Sequence, residues 1–293
     1  MSLSLSFAAL SIQLDTRPIT PIPPNPLPSK AEQKKIALGK KLFNDKTLSP
    51  ANNRSCASCH NLKTGGTSLT PPGTLNIPTI FNTQYNFKQF WNGSANSSDE
   101  AVKLSLLAKD MIGFDPQKDL PKIIRASGYP KNMSFNDMIS ALTVYISTLN
   151  TPGSRFDQYL LGNSAALTDS EKKGYALFQS YGCISCHQGR LVGDNLLQKF
   201  GIYNDYFKTK PYQSWNLGYY NVTKNPTDQF VFKVPSLRNV ALTAPYLHDG
   251  SISDLNKVVE SMAFYQLGHP ISNDDIKLIV QFLYTLTGEI PKQ

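Results

Sequence analysis

The sequence predicts an all-α protein built from two related halves, and three observations carry this prediction. Each half opens with a capping-box pattern at the start of a helix. Each half then carries a C-x-x-C-H motif, and each ends in a stretch of closely similar sequence with helical apolar spacing. The two closing stretches are separated by a constant offset of 137 residues, which indicates an internal duplication.

The first half opens at Ser29, where the S-x-x-E pattern with Glu32 predicts a helix that continues through Phe43. Apolar residues at helical spacing predict the closing helix over residues 136–149. Between these helices, Gly, Pro, Asn and Thr are frequent over residues 64–79, and this composition predicts a long loop.

The second half repeats this order. Thr168 and Glu171 form the second capping box and predict a helix over residues 172–178. The matching closing helix is predicted over residues 273–286. The intervening residues 189–233 are again rich in Gly, Pro, Asn and Thr, and they are interpreted as long loops without strands.

Proline content and a turn sequence set the predicted domain boundaries. Six prolines between Arg17 and Pro28 predict an extended lead-in, and Thr-Pro-Gly-Ser at 151–154 marks the junction of the halves. The predicted organisation is therefore a signal remnant and lead-in over residues 1–28, an N-terminal domain over 29–152 and a C-terminal domain over 153–293.

The chemistry of the chain is concentrated in its two C-x-x-C-H motifs. Two thiols at this spacing can add to the two vinyl groups of one porphyrin, and the histidine that follows can ligate the iron. A disulfide within each pair, or half of a zinc site, is the alternative, although no third cysteine pair completes a zinc set. We therefore predict two cytochrome c-type domains, each with one covalent haem c. The predicted attachment residues are Cys56, Cys59, His60, Cys183, Cys186 and His187.

Composition bears on the compartment and on the partners. All four cysteines lie in the motifs, and covalent haem attachment belongs to an exported compartment, which predicts a periplasmic protein. Residues 3–12 form an apolar run of signal-peptide type that lacks a preceding Lys or Arg. No later run is long enough to span a membrane. The net charge of +8 is too modest and too dispersed to indicate a nucleic-acid partner.

With these motifs in place, the chain resembles the bacterial di-haem cytochrome c peroxidases and their relatives that oxidise tryptophan on partner proteins. The resemblance spans about residues 36–288. It is carried by the two C-x-x-C-H motifs, F-W-N-G at 90–93, F-K-V-P-S-L-R-N-V at 232–240, T-A-P-Y-L-H-D-G at 243–250 and Y-Q-L-G at 265–268.

For the second haem, the resemblance implies an electron-entry site with His187 as the proximal ligand and Met262 as the other axial ligand. A thioether ligand gives a high reduction potential, which suits acceptance of electrons from a donor. An ordinary core methionine is the alternative interpretation of Met262, and the rival ligands are His248 and Tyr265. Arg238 is expected to pair with a haem propionate.

For the first haem, the resemblance implies the peroxide site, with His60 as the proximal ligand. Many relatives block the sixth position with a loop histidine, but from residue 61 to residue 247 the only histidine here is His187. We therefore expect a five-coordinate or water-bound iron. The family uses a glutamate to move the peroxide proton, and Asp110 stands at its place, with an exposed loop aspartate as the alternative.

Two further expectations come from the resemblance. Trp91 matches the family tryptophan that carries electrons between the haems, although Ser94 replaces the usual arginine after this motif. A calcium ion between the domains is implied as well, with Asn76, Thr243 and Pro245 in the matching places.

The resulting prediction is a periplasmic di-haem peroxidase that reduces hydrogen peroxide to water with electrons from a small cytochrome c or cupredoxin. Two alternatives remain open at this point. The first is a peroxide-dependent oxidase acting on Trp or Tyr of a partner protein, and the second is a di-haem electron carrier without catalysis. Because family members are often dimers, a homodimer is a further expectation.

Overall fold

The computed structural model describes residues 18–70, 74–126, 128–208 and 213–291. Ten α-helices lie in this part of the chain, together with several 3-10 turns and one two-stranded sheet. The apolar run at residues 3–12 falls outside the described residues. The helices are α1 (Lys30–Asn44), α2 (Cys56–Cys59), α3 (Ser98–Leu107), α4 (Leu120–Ala126), α5 (Phe135–Ser147), α6 (Arg155–Leu160), α7 (Asp169–Ser180), α8 (Tyr220–Thr223), α9 (Leu255–Met262) and α10 (Asn273–Tyr284).

Both predicted capping boxes are confirmed. The Ser29 hydroxyl accepts from the backbone N–H of Glu32, and the Glu32 carboxylate accepts from the backbone N–H of Ser29. Thr168 and Glu171 make the same reciprocal pair at the start of α7. Each box satisfies N–H groups that a helix start otherwise leaves unpaired, so both helices begin where the local sequence predicts.

In each half, the helix that begins with the capping box and the closing helix cross at very short range. At Gly39 in α1, an added Cβ would collide with the carbonyl oxygen of Ala141 in α5. At Gly174 in α7, it would collide with the carbonyl oxygen of Leu278 in α10. Only glycine permits this approach of two backbones. The equivalent close crossings at Gly39 and Gly174 support the predicted duplication.

Each half has its own hydrophobic core behind this helix pair. Phe43, Met138 and Leu142 are fully or almost fully buried in the N-terminal core. Phe156 and Phe282 are fully buried in the C-terminal core. The domain boundaries at 28/29 and 152/153 stay predictions.

The prediction that residues 189–233 hold no strand is wrong. Leu197–Lys199 (β1) and Val231–Lys233 (β2) pair antiparallel, with Gln198 opposite Phe232. Strands of three residues are too short to show an alternating pattern, and partners this far apart in sequence are joined by tertiary packing. The fold is therefore helix-rich with one small sheet, rather than purely α.

The described part of the proline-rich lead-in contains no helix, and it packs against both halves. The Pro18 carbonyl accepts from the Gly189 N–H at 2.6 Å, and Ile19 is fully buried in the C-terminal core. Further along, the Asn25 side chain donates to the Thr148 carbonyl of the N-terminal half at 2.9 Å. None of the helices in the described part of the chain has the length and apolar character needed to cross a bilayer.

Candidate haem sites

The first motif places its thiols and its imidazole on one short turn. Cys56 and Cys59 begin and end α2, and His60 follows directly. The His60 Nδ1 donates to the Gly66 carbonyl at 3.0 Å, so the lone pair of the neutral ring lies on Nε2. Burial lowers the pKa of His60 and raises the pKa of the Cys56 thiol to about 12. A half-buried neutral imidazole of this tautomer is the form that binds iron.

The second motif repeats the arrangement. The His187 Nδ1 faces the Val192 carbonyl at 3.3 Å, which again leaves the lone pair on Nε2. Burial lowers the pKa of His187 to about 4 and raises the pKa of the Cys183 thiol to about 11. At Gly193, an added Cβ would meet the His187 ring and the Pro235 carbonyl, so this glycine makes room for the imidazole.

The donor set suits two haem groups better than the alternatives. All four cysteines are free thiols, which leaves them available for thioether bonds. In residues 18–70, 74–126, 128–208 and 213–291, no three His, Cys, Asp or Glu side chains come together as a zinc site requires. Each motif thus offers two thiols and one oriented neutral imidazole, the set that c-type haem needs.

Met262 lies where α9 passes into a turn of π-helix at Ala263–Leu267. Such turns are rare and occur often at functional sites. The Met262 side chain is partly buried against the aromatic cluster, which we define as Phe200, Tyr206, Phe207, Phe232 and His248. Its role as the second axial ligand stays a prediction.

The two rival ligands belong to the same region. His248 is 3 % exposed, and its ring stacks on Phe232 with centroids 4.3 Å apart. Tyr265 lies in the π-helical turn, with its ring centroid 5.1 Å from that of Tyr206. Met262 and Tyr265 therefore border the aromatic cluster to which His248 belongs.

Trp91 is attached to both halves of the chain. Its indole Nε1 donates to the Asn76 carbonyl at 2.8 Å, and its own carbonyl accepts from the Lys233 N–H at 2.8 Å. The Lys233 ammonium is buried and pairs with Asp194 at 2.5 Å. This buried ion pair next to Trp91 escaped the sequence analysis, because its partners are 39 residues apart and carry no motif.

Asp110 is exposed on the loop after α3, and the side chain of Arg54 connects that loop to the first motif. The guanidinium of Arg54 donates to the Asp110 carbonyl at 2.9 Å and to the Lys109 carbonyl at 3.1 Å. Arg54 stands two residues before Cys56, so it joins the loop to the haem-binding turn. The role of Asp110 in proton transfer stays a prediction, and Arg54 is a residue that the sequence analysis missed.

Two of the three predicted calcium ligands are neighbours. The Asn76 amide donates to the Pro245 carbonyl at 2.6 Å and to the Leu247 carbonyl at 2.9 Å, while its oxygen accepts from Thr70. The Thr243 hydroxyl donates to the Val240 carbonyl. Asn76 thus joins the two halves directly, and a calcium ion at this place stays a prediction.

Arg238 is 1 % exposed and lies in a polar network of the protein itself. It forms an ion pair with Asp157 at 2.8 Å and donates to the Arg190 and Thr20 carbonyls. A buried guanidinium needs this number of acceptors. The expected pairing with a haem propionate stays a prediction.

Comparisons with known proteins agree with two c-type haem sites. The family model described as di-haem cytochrome c peroxidase matches residues 33–165. The cytochrome c551 peroxidase of Nitrosomonas europaea is 36% identical over 99% of this chain and 90% of that protein. The cytochrome c peroxidase Ccp of Escherichia coli is 38% identical over 92% of this chain and 61% of that protein.

A solved structure shares the fold. A MauG-like protein associated with microbial copper homeostasis matches with a TM-score of 0.74 and 25% identity, covering 92% of this chain and 94% of that one. The chain belongs to the di-haem cytochrome c peroxidase family, and it is an oxidoreductase of the cytochrome c peroxidase type with haem c as its cofactor.

Proposed function

We propose that this protein reduces hydrogen peroxide to water in the periplasm, with electrons from a small cytochrome c or cupredoxin. The relatives named as cytochrome c peroxidases support this activity. The observation that carries it is the position of Trp91, which is hydrogen-bonded to residues of both halves. Such a residue can connect a site of electron entry with a site of peroxide reduction.

When bound at His60, the haem iron supplies the place where the O–O bond of peroxide is broken. His60 and His187 would hold the two haem groups through Nε2, since each has its Nδ1 fixed by a backbone carbonyl. Met262 would be the second residue that holds the haem at His187. Electrons enter at that side and pass through Trp91 towards the first.

Asp110 moves the proton from the inner to the outer peroxide oxygen. A carboxylate in this role must reach the reacting atoms, and the Arg54 bonds to the backbone at Lys109 and Asp110 hold the loop beside the motif. The exposure of Asp110 also gives it contact with solvent, from which the proton can be replaced.

Stopped-flow mixing of haem-replete protein with peroxide tests this proposal. Rapid turnover that consumes a reduced small cytochrome c is expected, and Trp91→Phe should slow donor oxidation. Trp215→Phe, at the second tryptophan of the chain, is the matched control and should behave as wild type. Equal donor oxidation by the Trp91 variant and by wild type would contradict the route through Trp91.

A second candidate function is peroxide-dependent oxidation of Trp or Tyr in a partner protein. The missing loop histidine favours it, because a permanently open first haem needs no reductive activation. In the same stopped-flow experiment, this function predicts fast reaction with peroxide but slow discharge by the donor. An electron carrier without catalysis would not react with peroxide.

Calcium and self-association complete the proposal. Asn76, Thr243 and Pro245 are the proposed calcium ligands, and carbonyl and amide oxygens suit this ion. A homodimer is proposed as the working assembly. Calcium titration with a chelator control, and sedimentation of the haem-loaded protein, test these two points.

A further inference from the structure

Tyr206 lies in the aromatic cluster with its phenol attached to a carboxylate. The side chain is 2 % exposed. Its hydroxyl donates to Asp249 Oδ2 at 2.8 Å and lies 3.0 Å from the Ser251 hydroxyl. A phenol bonded to a fixed base at this distance can lose its proton without a change in geometry.

Asp249 is held in place by hydrogen bonds on both of its carboxylate oxygens. The Ser251 N–H binds the other carboxylate oxygen at 3.1 Å. The Oδ2 atom that accepts from Tyr206 is therefore in place to receive the phenolic proton.

Aromatic rings connect Trp91 with Tyr206. The Trp91 and His248 ring centroids are 6.5 Å apart, and those of His248 and Tyr206 are 5.9 Å apart. Trp91 and Tyr206 thus border the same imidazole, one on the side of the N-terminal half and one within the cluster.

The rings also continue outward from Tyr206 to the surface. Tyr206 and Tyr265 lie 5.1 Å apart, and Tyr265 and Phe264 lie 5.0 Å apart. Phe264 is 54 % exposed. Tyr206 therefore stands between Trp91 and a solvent-exposed ring.

A second buried tyrosine, Tyr129, also donates to a carboxylate, but a different group faces its ring. The Tyr129 hydroxyl donates to Asp45 at 2.6 Å, while the Lys41 ammonium lies 4.2 Å above the Tyr129 ring. A cation on the ring face opposes the removal of an electron from that ring. Tyr129 is thus a natural control for a phenol–carboxylate pair that resists oxidation.

We infer that Tyr206 is a redox-active tyrosine that takes up an oxidising equivalent from Trp91, with Asp249 as the acceptor of its proton. This inference rests on the proposed reaction with peroxide, which supplies the oxidant. One electron passes from the Tyr206 phenol to the Trp91 radical cation, and the phenolic proton passes to Asp249 Oδ2. The products are neutral Trp91, a neutral tyrosyl radical and a protonated Asp249.

The tyrosyl radical is quenched when the electron donor arrives. One electron from the donor reduces the tyrosyl radical, and Asp249 returns the proton. When the donor is scarce, Tyr206 keeps the oxidising equivalent away from Trp91 and close to the surface ring of Phe264. The pair thus serves as a store for oxidising equivalents in the absence of donor.

Freeze-quench EPR of haem-loaded protein mixed with hydrogen peroxide, without donor, tests this inference. Wild type is expected to give a radical signal that narrows when the protein contains ring-deuterated tyrosine. Tyr206→Phe should lose this tyrosyl signal, and the control Tyr129→Phe should keep it. A tyrosyl signal that persists in Tyr206→Phe, or that disappears equally in both variants, overturns the assignment.

Asp249→Asn keeps the phenol and a hydrogen-bond acceptor but removes the base. Its tyrosyl signal should form more slowly than in wild type and lose the solvent deuterium isotope effect. An unchanged rate and isotope effect would overturn the role of Asp249 as proton acceptor.

The optical spectrum separates this inference from the proposed function. If peroxide leaves the ferric haem spectrum of wild type unchanged, the proposed reaction with peroxide has failed, and the inference fails with it. If the spectrum changes rapidly but no tyrosyl signal forms, only the inference is overturned.

Discussion

A single proton on each motif histidine decides whether that ring can bind iron. In both motifs a backbone carbonyl accepts from Nδ1, and burial keeps the ring neutral. Because the acceptors are main-chain atoms of Gly66 and Val192, no side-chain substitution at these positions removes them directly. The tautomer is thus set by the path of the loop after each motif.

Met262→Ala should lower the reduction potential of the second haem. A thioether stabilises the reduced iron, and its removal leaves a weaker ligand such as water. Spectroelectrochemical titration measures the change, together with loss of the sulfur-to-iron charge-transfer band. Met111→Ala is the control, since Met111 is 41 % exposed and lies beside Asp110. Loss of the band in the Met111 variant instead would assign the ligand to Met111.

Asp110→Asn should slow the reaction of the first haem with peroxide by about 10²-fold or more, because a positioned acid–base group contributes this much. Stopped-flow rates at saturating donor measure the effect. Asp115→Asn, at another exposed aspartate of the same region, should change the rate little. Equal rates in wild type and Asp110→Asn would remove Asp110 from the proton path.

Whether a site residue could be predicted from the sequence depends on how far apart along the chain the interacting groups lie. The haem motifs and capping boxes are complete within five residues or fewer, so local spacing identifies them. The aromatic cluster gathers rings from residues 200–248, and the Lys233–Asp194 pair joins distant positions. No local pattern encodes such clusters, which therefore became visible only in the folded chain.

Among the helices, the crossings at Gly39 and Gly174 carry the packing of each half. In an ordinary exposed helix, replacing Gly by Ala stabilises by up to about 1 kcal/mol. At Gly39 and Gly174 the neighbouring backbone leaves no room for a Cβ, so replacing either glycine by alanine should destabilise the protein.

Gly174→Ala should accordingly lower the free energy of unfolding by about 1–3 kcal/mol, the usual cost of overpacking. Denaturant titration of the haem-loaded protein measures it. Lys173→Ala, at the exposed neighbouring position of α7, is the control and should be neutral or slightly stabilising. A stabilised Gly174→Ala variant would show that α7 and α10 can move apart without loss.

The small sheet is the part of the fold that helical periodicity and capping patterns did not predict. Helices α1, α5, α7 and α10 were predictable because their periodicity and caps are local. The pairing of β1 with β2 instead depends on Phe232, which is buried in the aromatic cluster. Pairing of this kind follows from the packing of the whole molecule.

For the whole molecule, acid should weaken the junction between α6 and α7. Arg155 makes a two-pronged contact with Glu171, at 2.8 Å and 2.5 Å. Burial alone raises the pKa of Glu171, but hydrogen bonds from Arg155 and Thr168 outweigh it and lower the pKa below 4.5. This stabilisation is present above the unfolded-state pKa and is lost as the pH falls through the lowered folded-state value.

Glu171→Gln should therefore lower the Tm at neutral pH, and its difference from wild type should shrink as the pH falls below 4.5. Thermal unfolding followed by circular dichroism across this range measures the trend. Asp169→Asn, which removes an exposed carboxylate 3.6 Å from Lys172, should show little difference at any pH. A constant difference for Glu171→Gln across the range would mean that the charge of Glu171 contributes nothing.

The buried position of Ile19 has a consequence for the order in which the chain can assemble. Ile19 completes a core whose other members include Phe282 and Leu286, so Ile19 must wait for residues that are synthesised much later. Contacts between such distant positions raise the contact order and slow the final step of folding. Until the lead-in docks, the C-terminal core stays open along one side. The segment around Ile19 can therefore dock fully only after Phe282 and Leu286 have been synthesised.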